Sequence, residues 1–441
     1  MSANVDLIIH ASWIIPVVPR NHVIENGSLV VDKCRIVAIG LRETLSEKYS
    51  ADEEFDLTGH VLIPGLVNAH GHAAMSLLRG FADDQPLMDW LQHHIWPTEQ
   101  AWMSEQFVTD GSRLAAAEML ARGTTCFSDM YFYPENTAAV ALEAGLRAQI
   151  TFPVLDFPTV WASSADEYLR KGIALHDRYR ANERISIGFG PHAPYTVSDG
   201  PLVKIATYAE ELQAPVQIHL HETADEVATA LGKDGRRPSE RLHDLGLLSP
   251  LTQCVHMTQV DDTDIRLLVD TGAHVVHCPE SNLKLASGLC PVETLLQHGV
   301  NVCLGTDGAA SNNDLDLSDE MRTAALVGKI AAKNASAVDA MTALEMATIN
   351  GAKALGIDAL VGSLEPGKRA DIAAIDLSGI EHRPMYNPIS HIVYTKAGHM
   401  VSHLWIDGLN VVSDYDLKTL DIEAIKYDTS VWQEKLAGKS L

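Results

Sequence analysis

Through the middle of the chain, short β-branched and apolar runs alternate with longer amphipathic stretches. The runs are "HVLIPGLVNAHGH" (60–72), "GTTCFSDMY" (123–131), "RAQITFPVLD" (147–156), "ISIGFGPHAPY" (185–195), "PVQIHLHE" (215–222), "TQCVHMTQ" (252–259), "AHVVHCPESN" (273–282) and "VNVCLGTDGAAS" (300–311). Their length and composition read as strands. Between them, segments such as "SEQFVTDGSRLAAAEMLARG" and "PLVKIATYAEELQ" repeat apolar residues every three or four positions, as a helix covering a sheet requires. Eight alternating strand and helix units predict an α/β fold, a (β/α)8 TIM barrel. The rival, a doubly wound sheet, would carry G-x-G-x-x-G after its first strand, and none is present.

The ends have another texture. Residues 1–60 read as short alternating strands, "VDLIIHASWIIP", "NGSLVVDKCRIVAIG" and "EEFDLTGHVLIPG", parted by Asn-Gly and charged turns. "RADIAAIDL" and "HIVYTKAGHMVSHLWIDGLNVV" repeat that texture near the other end. Residues 1–60 and 363–441 are therefore expected to form one small β-sandwich domain around a barrel spanning 61–362. The tail "DIEAIKYDTSVWQEKLAGKSL" is expected either to pack on a neighbouring subunit of a homo-oligomer or to cap the β-domain.

Polar residues recur where the barrel strands end: His70 and His72, Asp129, His192, His219 with Glu222, His256, and Asp307. Barrel enzymes draw their active-site groups from these C-terminal strand ends. Alone, the H-x-H of "PGLVNAHGH" is an ambiguous strand end. Residues i and i+2 of a strand share a face, so His70 and His72 can reach one ion. With His219 on the fifth strand and Asp307 on the eighth, three imidazoles and one carboxylate suit a single divalent metal, Zn2+, Fe2+ or another transition ion. Gly71 is expected to leave room beside it, and Gly308 to let the backbone turn sharply after Asp307. Bound Zn2+ lowers the pKa of its water toward about 7. Glu222, just past the strand end, is placed to shuttle protons, and Asp307 to accept the proton of that water.

"PGLVNAHGH", "HLHE", "VHM", "HCPESNLKLASG" and "LGTDGAASNN" resemble the amidohydrolase superfamily, in its group of metal-dependent deaminases and triazine hydrolases, over essentially the whole chain. The resemblance implies one metal on His70, His72, His219 and Asp307. It implies Glu222 as the group that protonates a ring nitrogen and helps the amine leave, and His256 as the hydrogen-bond partner of the attacking hydroxide. Binuclear branches need a lysine on the fourth strand, and "ISIGFGPHAPY" has none. The loop "LRGFADDQPLMDWLQHHIWPTEQAW" resembles the substrate loop of the methylthioadenosine/S-adenosylhomocysteine deaminases. That likeness puts Trp90 near a nucleoside, Glu99 on its ribose hydroxyls and His192 of "PHAPYT" on its purine. A carboxylate can accept both protons of a cis-diol. Members that use S-adenosylhomocysteine carry arginines after the third strand. Here Phe152 and Phe157 stand in that region and no arginine precedes Arg170, which favours an uncharged 5′-substituent. The expected reaction is deamination of 5′-methylthioadenosine, with adenosine and S-adenosylhomocysteine as weaker substrates. Deamination of guanine, cytosine or 8-oxoguanine, triazine dechlorination, and a non-catalytic barrel scaffold are the alternatives.

Composition narrows the partners. The 441 residues are 46% hydrophobic and carry a net charge of −25, which argues against nucleic acid. No run of 18 apolar residues occurs, so no membrane span is expected, and the N-terminal "VDLIIHASWIIP" reads as a strand rather than a signal peptide. Six scattered cysteines without C-x-x-C suit a reducing, cytoplasmic compartment. They also set aside the zinc deaminase design built on P-C-x-x-C.

Overall fold

A computed structural model describes residues 2–438. Four strands open the chain: β1 (Ala3–Ile14), β2 (Ile24–Asp32), β3 (Arg35–Leu41) and β4 (Tyr49–Pro64). Eight more follow with helices between them: β5 (Leu66–Asn68), β6 (Thr124–Asp129), β7 (Arg147–Val154), β8 (Ile185–Pro191), β9 (Val216–Leu220), β10 (Thr252–His256), β11 (His274–His277) and β12 (Val302–Leu304). The last four are β13 (Ile372–Asp376), β14 (Val401–Ile406), β15 (Leu409–Ser413) and β16 (Asp416–Leu417).

Strands β5 to β12 pair in chain order, every neighbour parallel. The ring closes where the Ala69 N–H donates to the Leu304 carbonyl at 2.9 Å and Gly71 bridges to Asp307. Each predicted barrel strand contains one of these eight. The chain ends form a second, mixed eight-stranded sheet in the order β16-β15-β14-β13-β4-β1-β2-β3. Its seam is the antiparallel pair β4–β13, running from Pro64 opposite Ile372 to His60 opposite Asp376. Apolar side chains of β1, β2, β4, β13 and β14, with Trp405 fully buried among them, build that sheet's own core.

Three local expectations change. The run 60–72 is two strands, because β4 stays in the terminal sheet to Pro64 and the chain enters the barrel only after Gly65. A Cβ at Gly65 would lie 2.2 Å from Thr125 Oγ1, so only glycine lets the chain pass this close to β6. "HIVY" is not a strand but the end of the helix Pro388–Tyr394. Asn387 caps that helix by accepting the N–H groups of Ile389 and Ser390, and Pro388 stands first in it; cap and proline outweigh the β-branched pattern. The tail forms the helix Ile422–Ala437, and the barrel side, not the β-domain, receives it. There Trp432 Nε1 donates to Asp110 at 2.8 Å and its ring meets Phe107 edge-on. Lys439–Leu441 of that tail lie outside the described residues.

Arg147, at the start of β7, ties the two bodies together. Its Nε donates to Asp371 at 2.7 Å, and its guanidinium also pairs with Asp407, which Arg184 holds at 2.9 Å. Arg147 and Asp371 are both buried. Removing one partner of a buried pair strands the other's charge, at a cost of about 3–5 kcal/mol. Arg147→Met is therefore expected to lower unfolding stability by about that amount in urea titrations, and a loss below about 1 kcal/mol would show that the pair contributes little.

Candidate active site

The C-terminal strand ends open into a cavity of about 520 Å³. His72, His192, His219, Glu222, His256 and Asp307 form its polar floor, and Trp90, Leu91, Ile95, Met103, Leu155 and Phe157 line its apolar walls. His70 lies beneath the floor, fully buried.

One donor atom from each of His70, His72, His219 and Asp307 falls within 4.8 Å of the others. The second nitrogen of each imidazole is already engaged. His70 Nδ1 donates to Gln217 Oε1, His72 Nδ1 to the Met130 carbonyl and His219 Nδ1 to the His192 carbonyl, each at 2.7 Å. All three Nε2 lone pairs are left for a common centre. His219 Nε2 lies 3.3 Å from His72 Nε2, and Asp307 Oδ1 lies 3.4 and 3.2 Å from the Nε2 atoms of His70 and His72. Ser281 and Ser311 hydroxyls both donate to Asp307 Oδ2 at 2.7 Å, which leaves Oδ1 facing the centre. His70 Nε2 is buried without a hydrogen-bond partner. Three imidazoles and a carboxylate, aimed inward with one buried nitrogen unsatisfied, fit a single divalent cation.

The backbone turn falls on a different residue than expected. Gly308 has an ordinary φ of −84°, and Asp307 itself takes the left-handed φ of +61°. Glycine at 308 is a matter of space, since a Cβ there would sit 3.2 Å from the His72 Cβ. Gly71 serves closure, its missing Cβ lying 3.4 Å from the Asp307 carbonyl. His256 also sits at a positive φ, +75°. Such conformations cost about 1–3 kcal/mol each and gather at functional sites.

Electrostatics divides the floor. Burial, then the neighbouring Asp307 charge, pushes Glu222 up to about 8. Burial, then the surrounding histidines, drives His219 well below its ordinary value, and His192 is lowered to about 4 by the same causes. Burial opposes the charge on Asp307, yet the adjoining His70 and His72 rings hold its carboxyl well below the usual range. His256 Nδ1 donates to Asn282 Oδ1 at 2.8 Å, turning Nε2 toward Glu222, 3.9 Å away. Glu99 stands at the wall, pushed up to about 7 by burial, and accepts a 2.6 Å hydrogen bond from the Tyr131 hydroxyl. Trp90 both lines the cavity and packs in a buried cluster with Leu91, Ile95, Met103 and Trp432. Asp129 does not line the cavity and accepts the Ala73 N–H at 2.6 Å, where the helical turn Ala73–Leu78 begins.

Sequence reasoning missed several supporting residues. Tyr131 and Gln217 are among them, as is Glu226, whose carboxylate accepts the N–H groups of His221 and Glu222 at 3.0 and 2.8 Å and fixes the turn that carries Glu222. Ser281 and Asn282 lie inside "HCPESNLKLASG", so that segment was the one available signal for its own partners.

The family model described as Amidohydrolase family matches residues 61–411, which run from the end of β4 through the whole barrel to β15. The chain belongs to the amidohydrolase family. This amidohydrolase is 58% identical over 434 residues to a 5-methylthioadenosine/S-adenosylhomocysteine deaminase of Saccharophagus degradans, covering 98% of this chain and 97% of that protein. It is 42% identical over 398 residues to a 5′-deoxyadenosine deaminase of Methanothermobacter thermautotrophicus, covering 90% and 92% respectively. A solved structure of an adenosine deaminase from Xanthomonas campestris with bound zinc superposes with a TM-score of 0.98 at 43% identity, each chain covered in full. The amidohydrolase has no helix among the described residues long and apolar enough to cross a membrane.

Proposed function

We propose that this amidohydrolase deaminates the adenine ring of 5′-methylthioadenosine, giving 5′-methylthioinosine and ammonia, with adenosine and S-adenosylhomocysteine as weaker substrates. The observation that carries this reading is the cavity itself. A floor of proton-transfer groups lies under apolar walls, with one carboxylate, Glu99, set into them and no Arg or Lys among the described lining residues. The names of the relatives support an adenosine-type substrate.

A divalent metal on His70, His72, His219 and Asp307, when bound, supplies an acidified water as the nucleophile. Zinc is the proposed ion, since three nitrogens and one oxygen suit it and the Xanthomonas deaminase holds it; Fe2+ suits the same donors. Glu222, whose burial favours the protonated carboxyl, gives its proton to ring N1 as water oxygen bonds to C6. Asp307 takes the proton the water gives up. His256, its ring fixed by Asn282 with Nε2 on the Glu222 side of the floor, would hold the attacking oxygen in orientation. Glu222, now a carboxylate, takes the proton of the C6 hydroxyl and delivers it to the amino group, the C6–N bond breaks, ammonia leaves with C6 as a carbonyl, and the proton held by Asp307 returns to Glu222. The purine lies against His192, the ribose diol on Glu99, and the 5′-thioether against Trp90 and the apolar wall. The six free cysteines, five of them buried, support a reducing, cytoplasmic setting.

Two results test the substrate. Seating an amino-acid headgroup against walls without a cation leaves charged groups poorly paired. kcat/KM for 5′-methylthioadenosine is expected to exceed that for S-adenosylhomocysteine by about 10-fold or more, a ratio corresponding to roughly 1.4 kcal/mol. Ammonia release across a panel of nucleosides, free bases and a chlorotriazine measures it. Chloride release from the triazine without ammonia from methylthioadenosine would refute the reading. Glu99→Ala is expected to cost about 10–100-fold in kcat/KM on nucleosides, the worth of hydrogen bonds to a charged group, and to spare free adenine. Equal losses on both would remove Glu99 from the ribose.

A further inference from the structure

Beneath the ligands, the barrel interior departs from the aliphatic layers usual in this fold. Gln149 of β7, Gln217 of β9 and Gln253 of β10 meet there, all buried. Their hydrogen bonds admit one polarity. Gln253 Nε2 donates to the Ala354 carbonyl at 2.7 Å and to Gln149 Oε1 at 3.1 Å, while Gln149 Nε2 donates back to Gln253 Oε1 at 2.8 Å. Gln253 therefore presents its oxygen to Gln217 Nε2, 2.7 Å away. Gln217 Nε2 also donates to the Ala69 carbonyl at 2.9 Å. Backbone carbonyls only accept, so Ala354 and Ala69 fix which end of each amide is nitrogen. Gln217 is left with Oε1 against His70 Nδ1 at 2.7 Å. An amide oxygen also only accepts, so Nδ1 must carry the imidazole proton and Nε2 must be bare.

His70 is unusual among the three histidines in this respect. His72 and His219 have their tautomers set by backbone carbonyls, which no substitution removes, whereas His70 depends on a side chain. We propose that Gln217 is a positioning residue, held in polarity by Gln253 and Gln149, which fixes the His70 tautomer and so readies the site for a divalent cation. The cation part of this inference rests on the metal-site reading above; the tautomer part does not.

The test compares Gln217→Leu, Gln217→Glu and Gln253→Leu with the parent protein. In the metal-free proteins, imidazole 15N shifts report the tautomer. The parent is expected to show His70 protonated at Nδ1 alone, and Gln217→Leu a mixture. Zinc affinity, measured on folded protein by chelator competition, is expected to fall about 10–100-fold in Gln217→Leu, as when other partners of metal-bound histidines are lost. Gln217→Glu still accepts from Nδ1 and is expected to keep both the tautomer and the affinity within a few-fold. Gln253→Leu, which does not touch His70, is expected to show a weaker form of the Gln217→Leu result, and carries the test if that variant fails to fold. A merely structural amide layer would lower the melting temperature of all three variants and leave tautomer and affinity unmoved. That outcome, or a pure Nδ1 tautomer in Gln217→Leu, overturns the proposal. A parent protein that binds no zinc overturns the metal reading and its cation part, and leaves the tautomer part to the 15N result.

Discussion

Glu222→Gln is expected to keep its metal and lose about 10²- to 10⁴-fold in kcat, the usual worth of a positioned general acid–base group. The amide has nearly the same shape and retains hydrogen-bonding capacity, but it can neither give a proton to the ring nitrogen nor deliver one to the leaving amine. Its main chain should stay in place, because Glu226 holds the N–H groups of His221 and Glu222 and Thr258 Oγ1 donates to the Glu222 carbonyl at 2.8 Å. Metal content should not change, since none of the four clustered ligand atoms comes from Glu222. The pH dependence has a definite sign. Glu222 acts as a donor, so kcat/KM should fall as pH rises through its pKa. Burial pushes that value up to about 8, and a bound cation lowers it by favouring the carboxylate. The alkaline limb caused by Glu222 should therefore lie at or below about pH 8 and vanish in the variant. Metal analysis with steady-state rates decides the matter. A variant with full metal and more than about a tenth of parental kcat would remove Glu222 from proton transfer.

The barrel was legible because its strands are written twice over. Each is a short apolar run, and most end in a polar residue where the barrel mouth opens; "PVQIHLHE" shows both, with His219 at the strand end and Glu222 just beyond. Alternation in a strand placed His70 and His72 on one face without any knowledge of what lay opposite. Gln217 escaped notice for the same reason that His219 did not. In sequence it is one polar residue inside a strand, and its meaning comes from Gln149 and Gln253, which lie 68 and 36 positions away in the chain (217 − 149 and 253 − 217) and meet it only when the barrel closes. Tyr131 is hidden likewise, because its value lies in a hydrogen bond to Glu99, on the helix Trp96–Trp102 that follows another strand.

Local chemistry misled where tertiary packing or capping decides. "HIVY" has strand composition, yet Asn387 and Pro388 start a helix ahead of it. The tail is expected on a neighbouring subunit or on the β-domain, and Trp432 instead packs against Asp110 and Phe107 on the barrel. Gly308 carried the expected freedom to turn, and Asp307 took the turn instead. A strained aspartate whose Oδ2 is pinned by two serines aims its other oxygen, which is worth more to the site than an easy turn.

Stripping the metal with a chelator is expected to abolish turnover and leave the chain folded, and one equivalent of Zn2+ per chain should restore the rate. Folding should survive because the ligands sit at the ends of strands whose ladder hydrogen bonds and two apolar cores are complete without an ion. Stability should nonetheless drop. The protein offers the buried His70 Nε2 no hydrogen-bond partner, and coordination would remove that penalty of about 1–3 kcal/mol. Mass action adds a concentration dependence: free metal at about 100 times its Kd stabilises the fold by roughly 2.7 kcal/mol, and each tenfold increase adds about 1.4 kcal/mol. A chain of this length should show that as a rise of a few degrees in Tm. Asp307→Asn separates the contributions. The amide keeps the size of the side chain but supplies no charge to the cation, so Zn2+ should bind more weakly and lift Tm less at equal concentration. Calorimetry with and without chelator, beside a zinc titration of the rate, measures each quantity. A second equivalent needed for full activity would contradict a single-ion site, since the described residues offer one cluster of three imidazoles and a carboxylate. Turnover that persists in metal-free protein would place the nucleophile elsewhere on the floor, leaving Glu222 and His256 to activate water without a cation.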